Sequence, residues 1–141
     1  MSKGNTYEND ILKLIFNAVA IADLAENDAS SPATVLTVAL HTADPGEAGD
    51  QSTSEISYTG YARQSVTRNS TGWTVTGNSV SPTADIVFPV STGGTGGTVT
   101  HWSIGTGVSN KLLYSGTVTP NIVVTSGVSP KLTTASTVTE D

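Results

Sequence analysis

The spacing of the apolar residues changes once along this chain, and that change limits the fold more than any other feature. Before Pro32 the apolar residues recur with the period of an α-helix, and after it they alternate with the period of a β-strand. Gly, Asn and Pro interrupt the alternation at intervals of roughly 8–12 residues, which is typical of sheets built from short strands. We therefore expect one N-terminal helix followed by a β-rich region.

The helical pattern extends from Tyr7 to about Asn27 and carries a broad apolar stripe that includes Ile15 and Phe16. A polar stretch and Pro32 follow, and residues of these types end helices. Two interpretations of the stripe stay open. In the first, the helix covers a sheet of this protein. In the second, part of the helix, around Ile15 and Phe16, docks on a neighbouring protein.

The region from about residue 34 to residue 139 predicts seven or eight short strands, arranged as a compact β-sandwich or barrel. At 141 residues the chain fits one domain, 1–141, and is too short for two independent cores. The predicted strands are Thr34–His41, Tyr61–Arg68, Trp73–Thr76, Asp85–Val90, Val99–Ile104, Lys111–Val118, Ile122–Thr125 and a weaker one within Leu132–Val138. The run Thr92–Gly97 reads as a flexible connector between two of them.

Charge and composition exclude several classes of partner. The net charge is −6, from 12 acidic against 6 basic residues, which disfavours binding to nucleic acid or to anionic membranes. The sequence has no apolar stretch long enough to span a bilayer and no secretory signal at its start, so we expect synthesis in a bacterial cytoplasm. About 40 residues are Ser or Thr and only 13% are charged. A neutral surface of small side chains suits a protein that neighbouring copies cover.

The sequence gives little support for catalysis. His41 and His101 have no second His or acid at ligand spacing, and no Gly-x-Ser-x-Gly motif is present. Asp44, Glu47 and Asp50 are spaced three apart in a Gly-containing loop, which makes them the best metal candidate. They lack the Asp-x-Asp-x-Asp-Gly pattern of calcium loops, so a solvated turn is the simpler interpretation. We expect no enzyme, no metal and no cofactor.

Aromatic residues open two further alternatives. Trp73 and Trp102 could stack on sugars, but each alternates with an apolar residue in a predicted strand, so core burial explains them. Tyr58, Tyr61 and Arg63 come at the end of a long polar excursion, and Tyr and Arg are enriched among interface anchors. We predict that these three residues bind a partner.

The same prediction extends into the excursion itself, which covers residues 42–59 and includes Asp44 and Glu47. Its Gly, Ser and Asp content leaves little apolar surface with which it could order itself. We therefore expect Asp44 and Glu47 to contact the partner as well, and the partner to anchor the excursion.

The order of several motifs resembles a family of small bacteriophage and prophage proteins that are usually labelled tail-fibre proteins. The motifs that carry the resemblance are Leu40–Gly46, Glu55–Arg63, Gly72–Gly77, Phe88–Pro89, Thr100–Thr106 and Leu112–Gly116. They span nearly the whole chain. The resemblance implies a structural protein of the virion with no known enzymatic activity.

Two positions on the virion are compatible with this resemblance. The chain lacks the heptads and repeats of a long fibre, which favours a capsid decoration, or cement, protein. Such a protein would bind the major capsid protein and further copies of itself, as a dimer or trimer, on the outer surface of the capsid. It would stabilise the head shell by binding across the junctions between capsid subunits. The alternative is a tail-fibre or minor tail protein involved in host attachment.

Overall fold

The computed structural model describes residues 5–20 and 33–140, and within them it contains one helix and nine strands. The helix α1 is Asn5–Asn17. The strands are β1 Val35–His41, β2 Gln64–Thr67, β3 Trp73–Thr76, β4 Ser79–Pro82, β5 Ile86–Val87, β6 Gly97–Gly105, β7 Leu112–Val124, β8 Lys131–Leu132 and β9 Val138–Thr139. The predicted fold, mainly β with one N-terminal helix, is confirmed for the described residues.

The strands form three open sheets. One sheet has four strands in the order β2-β1-β6-β7, one has three in the order β3-β4-β9, and one pairs β5 with β8. No sheet of the described ranges closes on itself, so the barrel alternative is wrong. The open sheets agree with the sandwich alternative, because a β-sandwich is built from open sheets.

The chain divides into two compact units. The first comprises residues 1–35, 66–85 and 133–141, and the second comprises residues 36–65 and 86–132. The first therefore contains α1, β3, β4 and β9. The second contains most of the four-stranded sheet together with β5 and β8. The expectation of a single domain stays a prediction.

In the first unit, α1 packs on the three-stranded sheet. Phe16 and Trp73 are both buried, and their rings meet edge to face with centroids 4.8 Å apart. Leu12, one turn before Phe16, is buried as well, as expected for an apolar stripe with a spacing of four residues. The helix therefore covers a sheet of its own protein, as the first interpretation of the stripe predicts.

The predicted helix is too long at its C-terminal end. It ends at Asn17, Ala18 takes a left-handed conformation with φ of 56°, and the Val19 N–H donates to the Lys13 carbonyl at 3.1 Å. A residue in this conformation stops a helix and returns the chain toward its last turn. Val19 continues the apolar spacing but is 49% exposed, so the spacing alone extends the helix wrongly. The remainder of the predicted helix, residues 21–27, lies outside the described residues.

In the second unit, β1 and β6 run antiparallel at the centre of the four-stranded sheet. Leu40 faces Trp102 and Val38 faces Ile104 across the two strands, and all four are buried. Because side chains alternate along a strand, Leu36 lies on the same face. The sequence predicts this face of β1, and the burial confirms it.

The division of the chain into strands differs from the prediction at three places, and β2 and β5 are shorter than the predicted Tyr61–Arg68 and Asp85–Val90. The strand β4, Ser79–Pro82, is absent from the prediction. The two segments predicted after Lys111 form one long strand, β7, whose pairing with β6 shifts register between Val99 and His101. The weak strand predicted within Leu132–Val138 is instead two short ones, β8 and β9.

The glycine-rich run Thr92–Gly97 is held more firmly than a flexible connector. The Thr59 N–H donates to the Gly93 carbonyl at 2.8 Å, and the Thr92 N–H donates to the Thr59 carbonyl at 3.0 Å. At Gly96 φ is 61°, and a Cβ there would lie 2.3 Å from the Val124 carbonyl oxygen. The glycine is therefore needed because another backbone approaches it closely.

Candidate interaction surface

One face of the four-stranded sheet carries polar side chains close to the sheet's centre. His41 faces His101 and Ala39 faces Ser103 across β1 and β6, and His41 and Ser103 are both fully buried. The segment between β1 and β2, residues 42–63, supplies the groups that pair with them; we call it the β1–β2 loop. It contains most of the residues that the sequence singles out as contact candidates.

Gln51 inserts from the β1–β2 loop into this polar face and is fully buried. Its Nε2 donates to the Thr37 carbonyl at 3.0 Å and to Ser103 Oγ at 3.3 Å. Its Oε1 accepts from Thr37 Oγ1 at 2.8 Å, and its backbone N–H donates to the Asn110 carbonyl at 2.9 Å. One side chain thus ties the loop to two strands of the sheet.

His41 uses both ring nitrogens within the same network. Its Nδ1 lies 2.8 Å from the Thr53 carbonyl oxygen, and its Nε2 lies 2.7 Å from Ser103 Oγ. A carbonyl only accepts, so the proton is on Nδ1, and Nε2 accepts the Ser103 hydroxyl. Burial favours the neutral ring and lowers the pKa of His41.

This Ser–His pair has the hydrogen bond of a nucleophile and its base, but not the surroundings. The group that orients the imidazole is a backbone carbonyl rather than a carboxylate, and Ser103 is fully buried. The Ser103 hydroxyl also accepts from Gln51. In this arrangement no substrate can reach Ser103, and the pair serves to hold the β1–β2 loop.

The structure brings Tyr61 and Arg63 together on Glu55, a residue that sequence reasoning missed. Tyr61 Oη donates to Glu55 Oε1 at 2.8 Å and accepts the Leu40 N–H at 3.1 Å. Arg63 donates to both Glu55 oxygens, at 2.8 and 2.7 Å, and to Asn110 Oδ1 at 2.9 Å. Burial raises the pKa of Tyr61, and the hydrogen bonds to Glu55 raise that of Arg63.

Tyr58 is buried beside this cluster. Its Oη donates to the Pro89 carbonyl at 2.8 Å, and its ring meets the Tyr61 ring edge to face at 5.3 Å. On its other side, the Tyr61 ring stacks on Phe88 at 6.2 Å. Each polar group of the predicted contact residues Tyr58, Tyr61 and Arg63 thus has a partner within the protein. Their binding to another protein stays a prediction.

The acidic residues of the loop stabilise its turns. Asp44 Oδ1 accepts the Gly46 N–H at 2.9 Å, and Asp50 Oδ1 accepts the Ser52 N–H at 2.8 Å and the Ser52 hydroxyl at 2.6 Å. These bonds to the charged form lower the pKa of Asp50. Glu47 is exposed. The described part of the chain holds no group of three residues placed to bind a metal ion.

The candidates on the helix lie in the first unit, where Phe16 is buried against Trp73 and Ile15 is half-buried. The Ile15 backbone carbonyl accepts a hydrogen bond from Arg68 Nε. Burial also argues against sugar binding by the two tryptophans in this conformation, because Trp73 is 1% and Trp102 is 6% exposed. Neither indole face is available for stacking on a ligand.

Three of the residues that hold the loop carry no signal in the sequence. Gln51, Glu55 and Asn110 are single polar residues within polar stretches, and their partners are Thr37, Ser103, Tyr61 and Arg63. Only the presence of an acid eight residues before Arg63 could have suggested the ion pair. The pairing depends on the fold rather than on local spacing.

At one margin of the four-stranded sheet lies β7, the last strand of the order β2-β1-β6-β7, and it pairs with β6. Ser115, Thr117 and Val123 are exposed along it, Val123 by 62%. No described helix is long and apolar enough to cross a membrane.

A comparison with protein families finds one that matches nearly the whole chain. The model of the family described as "Podophage GP4 fiber I protein gp80" matches residues 2–139. No curated protein matches the chain. The family description agrees with the resemblance to phage fibre proteins that the sequence motifs carry, and it supports a virion structural protein. The chain therefore belongs to the podophage GP4 fiber I protein gp80 family.

Proposed function

We propose that this protein is a non-enzymatic structural subunit of a phage fibre, and that it contributes to attachment to the host bacterium by binding other virion proteins. The observation that carries the proposal is the family match over residues 2–139, because the family description names a fibre protein. Its partners would be neighbouring fibre or tail proteins and copies of itself.

The use of the polar side chains supports a structural role. His41 and Ser103 are the pair that most resembles a nucleophile and its base. Both are buried, and they are hydrogen-bonded to each other and to the β1–β2 loop. Glu55 accepts from Tyr61 and Arg63 in the same way. These side chains hold the β1–β2 loop in one conformation, and a subunit of an assembly needs such a defined surface.

Capsid decoration is the second candidate, since it is the role that the sequence favours. Its support is the absence of heptads and repeats from a chain of 141 residues. In that role the protein would bind the major capsid protein on the outer surface of the head. The family description favours the fibre, so we rank decoration below it.

A phage that lacks the gene for this protein distinguishes the two roles. A fibre subunit predicts particles that keep their DNA on heating as well as complete particles do, but that no longer adsorb to host cells. A decoration protein predicts normal adsorption and loss of DNA at a lower temperature. Normal adsorption by the deletion phage would therefore overturn the fibre proposal.

Adding purified protein back to the deletion particles provides the control. If the protein acts as a fibre subunit, it should restore adsorption and leave heat resistance unchanged. Gold-labelled antibodies against the protein should mark the fibres, and a label distributed over the head would contradict the proposal.

A further inference from the structure

Residues 42–54 form a loop whose two ends meet, and we call this loop the flap. His41 and Glu55, the residues on either side of it, face each other across an isolated β-bridge. At the neck of the flap, the Thr42 N–H donates to the Ser54 carbonyl at 2.8 Å. The flap therefore leaves the sheet and returns to it at one place, as an Ω-loop does. A loop of this kind can open locally while the strands on either side stay paired.

Polar contacts rather than apolar packing keep the flap in place. Pro45 and Gln51 are the only buried residues in the flap. The Gln51 N–H donates to the Asn110 carbonyl at 2.9 Å, and further hydrogen bonds to the sheet come from the Gln51 side chain and the Thr53 carbonyl. Bonds of this kind are readily exchanged for bonds to water, so the closed flap depends on each of them being made correctly.

The hydrogen bonds between the flap and the sheet have a fixed direction. The Thr37 carbonyl only accepts, so the atom of Gln51 that faces it at 3.0 Å must be the nitrogen Nε2. This nitrogen also donates to Ser103 Oγ at 3.3 Å, and the Ser103 hydroxyl donates to His41 Nε2 at 2.7 Å. At the other end, the Thr53 carbonyl accepts from His41 Nδ1. No group in this series can be turned round alone, because a carbonyl that only accepts lies at each end.

A proton on His41 Nε2 conflicts with this direction. The protonated ring would donate to Ser103 Oγ, so the Ser103 hydroxyl hydrogen would need another acceptor, whereas Gln51 presents a donor to it. Turning the Gln51 amide round would place its oxygen where Nε2 now lies, 3.0 Å from the Thr37 carbonyl oxygen, and two acceptors repel each other at that distance. The closed flap therefore cannot satisfy every donor once His41 is charged.

We propose that the flap is a pH-sensitive element of the fold: protonation of His41 releases residues 42–54 from the sheet while the strands stay paired. The contacts beyond the flap do not use the side-chain hydrogens of His41. Glu55 keeps its bonds to Tyr61 and Arg63, and β1 keeps its pairing with β6. The opening is therefore local, and it does not depend on where in the virion the protein acts.

The charged groups around His41 influence the pH at which the flap opens. Glu55 and Arg63 face His41 from the β1–β2 loop, and His101 faces it from β6. The charge of Glu55 favours the proton, whereas the charges of Arg63 and His101 oppose it. Burial opposes the proton as well, so the flap stays closed at neutral pH. The acids of the flap itself are bonded within its turns or exposed, namely Asp44, Glu47 and Asp50.

Residue-resolved hydrogen exchange of the full chain tests the proposal between about pH 7.5 and pH 5, with the rates corrected for the intrinsic effect of pH on exchange. The Gln51 N–H reports on the flap, and the amide groups of β1 and β6 report on the sheet. Opening takes up one proton, so the protection of the Gln51 N–H should fall about tenfold for each pH unit below about pH 6.5. At about pH 5 the sheet should be protected roughly tenfold or more above Gln51. Equal protection of Gln51 and the sheet, or a protection of Gln51 that does not change with pH, would overturn the proposal.

Two variants identify the group that takes up the proton. His41→Gln should make the protection of the Gln51 N–H independent of pH over this range. His101→Gln, at the position that faces His41 on β6, should leave the dependence in place. Imidazole nitrogen NMR of the wild type stays informative if His41→Gln fails to fold, because it locates the proton of neutral His41 directly, and we expect this proton on Nδ1. A proton on Nε2 instead, or a pH dependence that survives His41→Gln, would contradict the proposal.

Discussion

The Nε2 atom of His41 lies 2.7 Å from the Oγ atom of Ser103, and both side chains are fully buried. Each hydrogen in this network has an acceptor only while His41 is neutral. A protonated ring would donate from both nitrogens, and Ser103 Oγ already accepts from Gln51. The Ser103 hydroxyl would then lose its acceptor, so protonation opposes the folded arrangement of the β1–β2 loop.

The free energy of unfolding should therefore fall as the solution is acidified. Burial holds the pKa of His41 below its ordinary value of 6.5. The hydrogen bond to the Thr53 carbonyl and the charge of Glu55 raise this pKa, whereas the charges of Arg63 and His101 lower it. Below about pH 6.5 the unfolded chain binds this proton and the folded chain does not, so stability is lost as pH falls through the folded pKa. Urea unfolding between about pH 7.5 and pH 5 measures the loss.

Variants at the two histidines assign this effect. His41→Gln removes the titrating group and should flatten the pH dependence over this range, with a lower stability at neutral pH by about 1–3 kcal/mol because the network is broken. His101→Gln, at the half-buried position opposite His41, should keep the dependence. A dependence that survives His41→Gln would contradict this explanation.

Glu55 should contribute more to stability than the other acids of its loop. Replacing it with Gln removes the charge that pairs with Arg63, whose side chain is 22% exposed, and weakens the bond from Tyr61. We expect a loss of about 1.5–3 kcal/mol in the free energy of unfolding, the range for hydrogen bonds to charged groups. Glu47→Gln, exposed in the same loop, is the control and should change stability by less than about 0.5 kcal/mol.

Limited proteolysis of the free protein tests what holds the β1–β2 loop in place. The bonds from Gln51 and Glu55 anchor it within the protein, so the wild type should resist cleavage between residues 42 and 63 without any partner. Glu55→Gln should make these peptide bonds more sensitive. Rapid cleavage of the wild type, with protection only on particles, would instead favour a partner as the anchor.

Gly96 and Gly46 should respond differently to alanine. Both have positive φ, 61° and 70°, so either substitution adds backbone strain of about 1–2 kcal/mol. At Gly96 the new Cβ would also lie 2.3 Å from the Val124 carbonyl oxygen, whereas at Gly46 nothing lies within 4 Å. Thermal unfolding should therefore rank Gly96→Ala clearly below Gly46→Ala, and equal losses would show that the close contact does not matter.

Arg68 should determine the stability of the end of α1. Its guanidinium donates to the carbonyls of Leu14 and Ile15, and to that of Ala33 at 3.2 Å. Lys has a single ammonium, so Arg68→Lys keeps the charge but not the fork that reaches three carbonyls. Both Arg68→Lys and Arg68→Ala should lower the helical signal in far-UV circular dichroism and the melting temperature. If Arg68→Lys left the helical signal and the melting temperature unchanged, the forked geometry of the guanidinium would have no role in stabilising the helix end.

The sequence predicted the features that depend on local periodicity. The alternation in β1 identified the buried face of Leu36, Val38 and Leu40, and the helical stripe identified Phe16 as a packing residue in one of two interpretations. It did not predict where the helix ends, because Val19 fits the spacing although it is largely exposed. Helix ends depend on capping groups, and one of those at the end of α1, Arg68, comes from a distant part of the chain.

The predicted contact residues also show what the sequence could not predict. Tyr61 and Arg63 are of the residue types that are enriched in interface anchors. Residue type alone does not tell whether their partner lies in another protein or in the same one. Glu55 and Asn110 satisfy both side chains, and Asn110 is 47 residues from Arg63. No spacing rule connects residues so far apart.

Because Arg68 caps α1 from far along the chain, the end of the helix cannot be fixed early in translation. Arg68 and Ile15 are 53 positions apart, so the ribosome adds Arg68 roughly 3–10 s after it has completed the last turn of the helix. An isolated helix of 13 residues is marginal in water. The nascent α1 must therefore form and melt repeatedly during this interval, and the residues after β2 decide when its end becomes fixed.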